Sequence, residues 1–267
     1  MFYNAKNKEI SVNGFNMSYC EFGEGFPLIL LPGLSDGITS VRGKALPLAY
    51  SYRELAKHFK CYMFSRRDSI PEGFTIDDMA DDLHEVLTAL SIENTHVLGV
   101  SQGGMVALRF CVKYPAMVDK LIIAVSASKV NNLIDTTINA WLNFAANSDY
   151  KSIFIDTAEK SYTEKKLKQF RPLYPLLYRI EKPKNLSRFI IQAKAILKFD
   201  TYNELEKIKN KTLIIGGSDD KIVGVDVSIE MSEKISGSEL FIYEGLGHAA
   251  YEEAKDFNER VIRFLTK

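Results

Sequence analysis

Gly99-Val100-Ser101-Gln102-Gly103 has the form Gly-x-Ser-x-Gly, and it lies between an apolar run ending at Val100 and a segment, Gln102 to Tyr114, that is apolar almost all round. A sharp strand-to-helix turn forces its central residue into a strained backbone conformation, and glycine at the flanking positions lets neighbouring chain pass without a Cβ clash. The Ser101 hydroxyl is thereby lifted above a helix N-terminus. Such a hydroxyl is a poor nucleophile until a base takes its proton, so a histidine is required. Of the four histidines, His58 and His96 lie beside or inside core elements, and His84 falls off the apolar stripe of a helix. His248 stands in Glu244-Gly245-Leu246-Gly247-His248-Ala249, a glycine-rich loop after the last apolar strand, where α/β sheets present reactive side chains.

The base in turn needs a carboxylate to fix its tautomer and stabilise the imidazolium. Gly216-Gly217-Ser218-Asp219-Asp220-Lys221-Ile222-Val223 follows the strand Thr212–Ile215 and offers two neighbouring ones. Successive residues of an extended loop face opposite ways, so only one of the pair can meet His248. The chain order of serine, aspartate and histidine is that of one particular architecture.

The elements that must position these groups are legible as periodicities. Lys8 to Phe22 alternates apolar residues around Asn13-Gly14, the pattern of a hairpin with a two-residue turn. Short continuous apolar runs follow at Leu28–Leu31, Cys61–Phe64, Thr95–Val100, Leu121–Val125, Thr212–Ile215 and Leu240–Tyr243, as suits strands buried on both faces of a parallel sheet. Thr75 with Asp78 forms a capping-box variant ahead of a helix whose apolar face runs from Ile76 to Leu90. Asp256 to Leu265 reads as the last helix. Strands alternating with helices predict an α/β fold: a mostly parallel twisted sheet, helices on both faces, and an antiparallel start. The stretch from about Val130 to Leu205 has no strand pattern but many aromatics, among them Trp141, Phe144, Tyr174 and Phe189, and reads as a helical cap insertion. The expected division is a core of residues 1–128 and 207–267 with a cap of 129–206.

These motifs and their order resemble the α/β-hydrolase fold superfamily, in its lid-bearing serine esterase and lipase-like branch, over nearly the whole chain. The resemblance implies that Gly99 to Gly103 is the nucleophile elbow, that the acid is Asp220, two and three residues before Ile222 and Val223, and that Gly247-His248 is the histidine loop. Asp219 would then face solvent or the loop's own N–H groups. Leu31-Pro32-Gly33-Leu34 resembles the oxyanion loop, with Pro32 where many members carry histidine, and the resemblance implies an oxyanion hole from the N–H groups of Leu34 and Gln102. Ser65-Arg66-Arg67-Asp68-Ser69 departs from the family's Asp-x-Arg-Gly-x-Gly-x-Ser stretch. For Arg66 and Arg67 we expect a structural ion pair with Asp68 or Asp36 in preference to contact with a substrate anion.

The chain has 267 residues, with 34 Lys plus Arg against 34 Asp plus Glu. Zero formal net charge removes the long-range field that gathers polyanions, so no nucleic-acid partner is expected. The first residues carry no apolar signal region and no stretch of 18 apolar residues occurs, so a cytoplasmic location without a membrane span is expected. Cys20, Cys61 and Cys111 are odd in number and widely spaced, which disfavours disulfides and zinc. The basic residues in the middle of the cap, Lys165 to Arg188, read as a solvated surface, with docking of an acidic carrier protein or a coenzyme A phosphate as the other reading. The function expected is a serine hydrolase that needs no cofactor, takes a small-molecule acyl substrate and cleaves a carboxylic ester. Thioesterase, lactonase, C–C bond hydrolase or acyltransferase chemistry would use the same residues. So would a non-catalytic protein that keeps the pocket for small-molecule binding.

Overall fold

In the computed structural model, which describes residues 2–180 and 182–267, eight strands form a single sheet. They are β1 (Lys6–Val12), β2 (Phe15–Phe22), β3 (Phe26–Leu31), β4 (Phe59–Phe64), β5 (Thr95–Val100), β6 (Val118–Ala124), β7 (Lys211–Gly217) and β8 (Glu239–Tyr243). Their order across the sheet is β1-β2-β4-β3-β5-β6-β7-β8. β2 is antiparallel to both β1 and β4, and β3 to β8 run parallel, as the antiparallel start anticipated. The hairpin turn is Asn13-Gly14 with φ of 45° and 82°, the positive values that a primed two-residue turn demands.

The helices are α1 (Ala45–Ser51), α2 (Arg53–Ala56), α3 (Ile76–Ala89), α4 (Gln102–Lys113), α5 (Asn132–Ala146), α6 (Tyr150–Ser161), α7 (Glu164–Phe170), α8 (Tyr174–Ile180), α9 (Ser187–Leu197), α10 (Asp226–Lys234), α11 (Ala250–Glu253) and α12 (Phe257–Thr266). Alternate strand residues feed two cores. Ile29, Val97 and Ile123 point to the side covered by α3, α4 and α10, while Leu28, Leu98 and Ile122 point to the side covered by α1, α2 and α12. The Thr75–Asp78 capping box forms in full, each side chain accepting from the other residue's N–H, at 3.1 and 2.8 Å. α1, α2 and α10 carry no clear apolar rhythm and escaped the sequence reading. α10 buries only Val227, Ser228 and Met231, with Ile229 left exposed.

Chain order reverses across β3: the strand after it lies to one side and the strand after that to the other. Loops leaving β3 and β5 at their C-terminal ends therefore diverge and leave a crevice, the place where open α/β sheets bind ligands. Between β6 and β7, helices α5 to α9 are inserted from that same end, and the described residues of the segment contain only one isolated bridge, Lys129 with Asp200. No helix among the described residues is long and apolar enough to cross a membrane. Cys20, Cys61 and Cys111 are unpaired and buried.

His96 on β5 is a core residue, wedged between the rings of Phe26 and Phe59 at 4.7 and 5.7 Å, with Asp119 at 3.3 Å from Nδ1. Burial pushes its pKa down to about 4, and the half-exposed Asp119 carboxylate only partly opposes this. The unfolded chain binds this proton near ~6.5, so the folded state is fully favoured above that value and loses ground as pH falls from there toward 4. Stability, read as Tm by calorimetry, should drop across this window by roughly 1–3 kcal/mol more in the native chain than in His96→Phe. Parallel pH profiles of the two proteins would refute the assignment.

Candidate active site

Ser101 sits between β5 and α4 with φ 53° and ψ −123°, a left-handed conformation that a side chain rarely adopts. Its N–H donates to the Ala124 carbonyl on β6 at 2.9 Å, and its carbonyl accepts from Ser126 Oγ at 2.7 Å. The glycines are required by close approach: a Cβ on Gly99 would strike the backbone of Gly103, and one on Gly103 would strike the carbonyl of Leu31 at the end of β3. Gly104, outside the five-residue motif, has the same role against the Ser126 side chain.

His248 Nε2 lies 3.0 Å from Ser101 Oγ, and Nδ1 lies 2.8 Å from Asp220 Oδ2. The three side chains that the sequence placed together across 147 residues thus form one hydrogen-bonded line. Asp220 and His248 are buried and Ser101 is partly open. The second Asp220 oxygen accepts from the N–H groups of Ile222 and Val223 at 2.8 and 2.9 Å, a role for these residues that the sequence motif did not reveal. Burial pushes the Asp220 carboxyl up, but His248 and the two N–H donors outweigh it and hold the pKa below the ordinary carboxylate value. Asp219 is exposed, and among the described residues its side chain accepts only from the neighbouring Ser218 hydroxyl, at 3.1 Å. The other histidines lie elsewhere: His58 is exposed, His84 stacks on Tyr114 at 4.0 Å, and His96 is in the core.

Gly33 passes directly over the serine; a Cβ there would stand 3.2 Å from Ser101 Cβ and 3.6 Å from Oγ. The next residue, Leu34, begins a short 3-10 turn (Leu34–Gly37), and Gln102 begins α4, so neither N–H has an intrahelical acceptor. Neither donates to any other group among the described residues. Two free N–H groups flanking a serine hydroxyl, one of them at a helix N-terminus, suit a developing negative charge.

The expectation for the arginines is corrected. Arg67 forms a structural ion pair, but with Asp82 on α3, which the sequence did not single out, while Asp68 pairs with Arg42 at 2.8 Å. Arg66 meets Asp36 through its backbone N–H, at 3.1 Å, while its buried guanidinium donates to the Pro32 carbonyl at 2.9 Å and so braces the loop beside Ser101. The partner of Asp36 comes from the inserted helices: Arg188 on α9 donates to Asp36 Oδ2 at 2.7 Å and to the carbonyls of Asp36 and Arg66 at 3.1 and 2.9 Å. Gln192, one turn along, donates to the same oxygen at 3.1 Å, and Gln102 donates to the Gln192 carbonyl at 2.9 Å. Burial works against the Asp36 charge, but the Arg188 and Arg66 cations hold its pKa below the ordinary value.

A cavity of about 270 Å³ reaches Pro32 and Gly33 and is walled by Lys44, Tyr52, Met63, Tyr251 and Glu252. Leu30, Leu98 and Val100 also line it, while Ser101 and His248 do not.

Residues 27–255 match the model of the α/β hydrolase fold family, and the chain belongs to that family. It is 27% identical to the 2-hydroxy-6-oxo-6-phenylhexa-2,4-dienoate hydrolase of Comamonas testosteroni over 98% of this chain and 95% of the relative. It is likewise 27% identical to a putative carbamate hydrolase, RutD, of Agrobacterium fabrum, over 90% and 93% of the two chains. Among solved structures, the α/β hydrolase MGS-M2 from a Medee basin deep-sea metagenome library superimposes with a TM-score of 0.85 at 20% identity, covering 97% of this chain and 98% of that one. The enol-lactonase of Burkholderia xenovorans gives 0.81 at 17% identity, over 97% and 100%. These relatives are hydrolases, and the fold is theirs.

Because Asp36 is fully enclosed, removing its cation strands a buried charge. Arg188→Met should destabilise the protein by about 2–4 kcal/mol in urea unfolding. With Asp36→Asn already present, the same change should cost at least about 1 kcal/mol less. Strict additivity of the two substitutions would show that the pair is not coupled.

Proposed function

We propose that this chain is a serine hydrolase of modest-sized acyl substrates, with carboxylic esters as its preferred class. The line Asp220–His248–Ser101, with spacings of 2.8 and 3.0 Å, carries the reading. Ser101 Oγ attacks the carbonyl carbon as His248 Nε2 takes its proton, and Asp220 holds the imidazole by Nδ1 and stabilises its charged form. The tetrahedral oxyanion is met by the N–H groups of Leu34 and Gln102. His248 then protonates the leaving alcohol, and water, activated by the same histidine, releases the acid from the acyl-enzyme. Residues 129–206 act as a lid whose α9 closes over the oxyanion loop. Nothing in these steps calls for a cofactor.

A second reading, hydrolysis of a C–C bond next to a carbonyl, is favoured by the similarity to the dienoate hydrolase across 98% of the chain. It uses the same attacking and proton-moving groups. A direct comparison decides: on the ester reading, kcat/KM for p-nitrophenyl butyrate exceeds that for 2-hydroxy-6-oxo-6-phenylhexa-2,4-dienoate by at least about tenfold, and the reverse ratio would replace it by the C–C reading.

Ser101→Ala should lower kcat by about 10⁴-fold or more while leaving the unfolding curve unchanged. Retention of a few per cent of turnover would rule out the serine mechanism. Asp220→Asn should cost about 10³- to 10⁴-fold, since an amide favours the wrong imidazole tautomer, and Asp219→Asn less than about tenfold. If Asp219→Asn is instead the crippled variant, the acid has been misassigned.

A further inference from the structure

Helix α8 turns an apolar stripe toward solvent. Leu173, just before it, with Leu176 and Ile180 are spaced three and four residues apart, so they share one helical face, and they are 47%, 59% and 69% exposed. The opposite face explains why the stripe cannot roll inward: Tyr174 is buried, its ring stands edge-on to Phe154 at 5.5 Å, and its hydroxyl donates to Glu159 on α6 at 3.1 Å.

Cations flank this stripe along the chain. From residue 165 to 184 the sequence carries seven Lys or Arg and a single acid, Glu181. Arg171 is occupied by Glu159 and Glu164. Lys165, Lys168, Arg179, Lys182 and Lys184 are exposed, and none is ion-paired with a carboxylate among the described residues. Tyr178 registers the resulting field: Arg179 donates to its hydroxyl at 3.3 Å, and that bond, with the charges of Arg179, Lys151 and Lys182, holds its pKa below the ordinary phenol value.

We propose that α8 and its basic flanks form a docking surface for an anionic lipid bilayer, the three aliphatic side chains entering the headgroup boundary while the lysines and Arg179 meet lipid phosphates. A short apolar stripe or a basic patch alone holds a protein weakly on a bilayer, and the two together hold it well. A second copy of the chain is disfavoured as the occupant, because a two-fold contact through this face would set the same unpaired cations against each other. Zero net charge for the whole chain means that attraction to an anionic surface must come from this local cluster.

Co-sedimentation with lipid vesicles tests this on the full chain. Vesicles with about 30% phosphatidylglycerol in phosphatidylcholine should retain about tenfold more protein than pure phosphatidylcholine at low salt, and the excess should vanish near ~0.5 M salt. The pair Lys182→Glu with Lys184→Glu should fall to the phosphatidylcholine level. Leu176→Gln with Ile180→Gln should lose about fivefold or more, while turnover of a soluble ester stays unchanged in all variants. Equal retention on the two vesicle types, retention on neither, or undiminished retention of the charge-reversed pair would overturn the proposal; retention by an acidic protein alone belongs to the same failing outcome.

Discussion

The φ of +53° at Ser101 places a serine where chain sterics favour glycine, at a cost of order 1–3 kcal/mol, so the surrounding structure has to impose it. Three neighbouring strands do so together. β6 takes the Ser101 N–H, the chain just beyond β6 supplies Ser126 to its carbonyl, and β3 passes so close that position 103 admits no side chain. The relative register of β3, β5 and β6 and the direction of the Ser101 hydroxyl are therefore a single constraint. Shifting any of these strands by a residue would exchange buried side chains between the two cores and lose the hydroxyl's aim at once.

The second organising element is polar. Asp36 is a completely enclosed carboxylate shared by the loop after β3, by Arg66 and by α9 of the insertion. Leu34 and Gln102, which supply the two free N–H groups, lie two residues from Asp36 and one hydrogen bond from Gln192, respectively. The position of the inserted helices and the aim of those N–H groups thus share one set of contacts. An ionic cluster suits this junction because its geometry is directional, whereas apolar packing alone would allow α9 to slide along its own axis.

Much of this was legible in the chain itself, for identifiable reasons. The elbow, the hairpin and the capping box are local: their residues lie within five positions of one another, and backbone sterics dictate the types. The residues alone left Asp219 and Asp220 open, and the choice of Asp220 came from the resemblance to the family's acid loop, which gave no hint that the N–H groups of Ile222 and Val223 both bind the carboxylate. What escaped depends on distance in sequence. Asp36 and Arg188 are 152 positions apart, and the aspartate that takes Arg67, Asp82, is a buried residue of α3 with no motif to mark it. α10 stayed hidden because two apolar residues suffice to seat it. The cluster of cations between Lys165 and Arg188 was visible in the sequence despite the equal totals of acid and base, but the ion pairing of Arg171 and Arg188 within it was not.

The three thiols behave as one chemical property of the fold. Burial raises Cys20 to about 11 and Cys61 and Cys111 to about 12. At neutral pH only about 10⁻⁴ to 10⁻⁵ of each is thiolate, the form that oxidants and alkylating agents attack. The native fold, which also buries all three side chains, thereby shields them from such reagents, and opening the strand or helix that carries each would remove that shield. The chain contains its own set of chemical clocks, one on β2, one on β4 and one on α4, that would time the opening of the antiparallel edge, the sheet interior and the elbow helix separately.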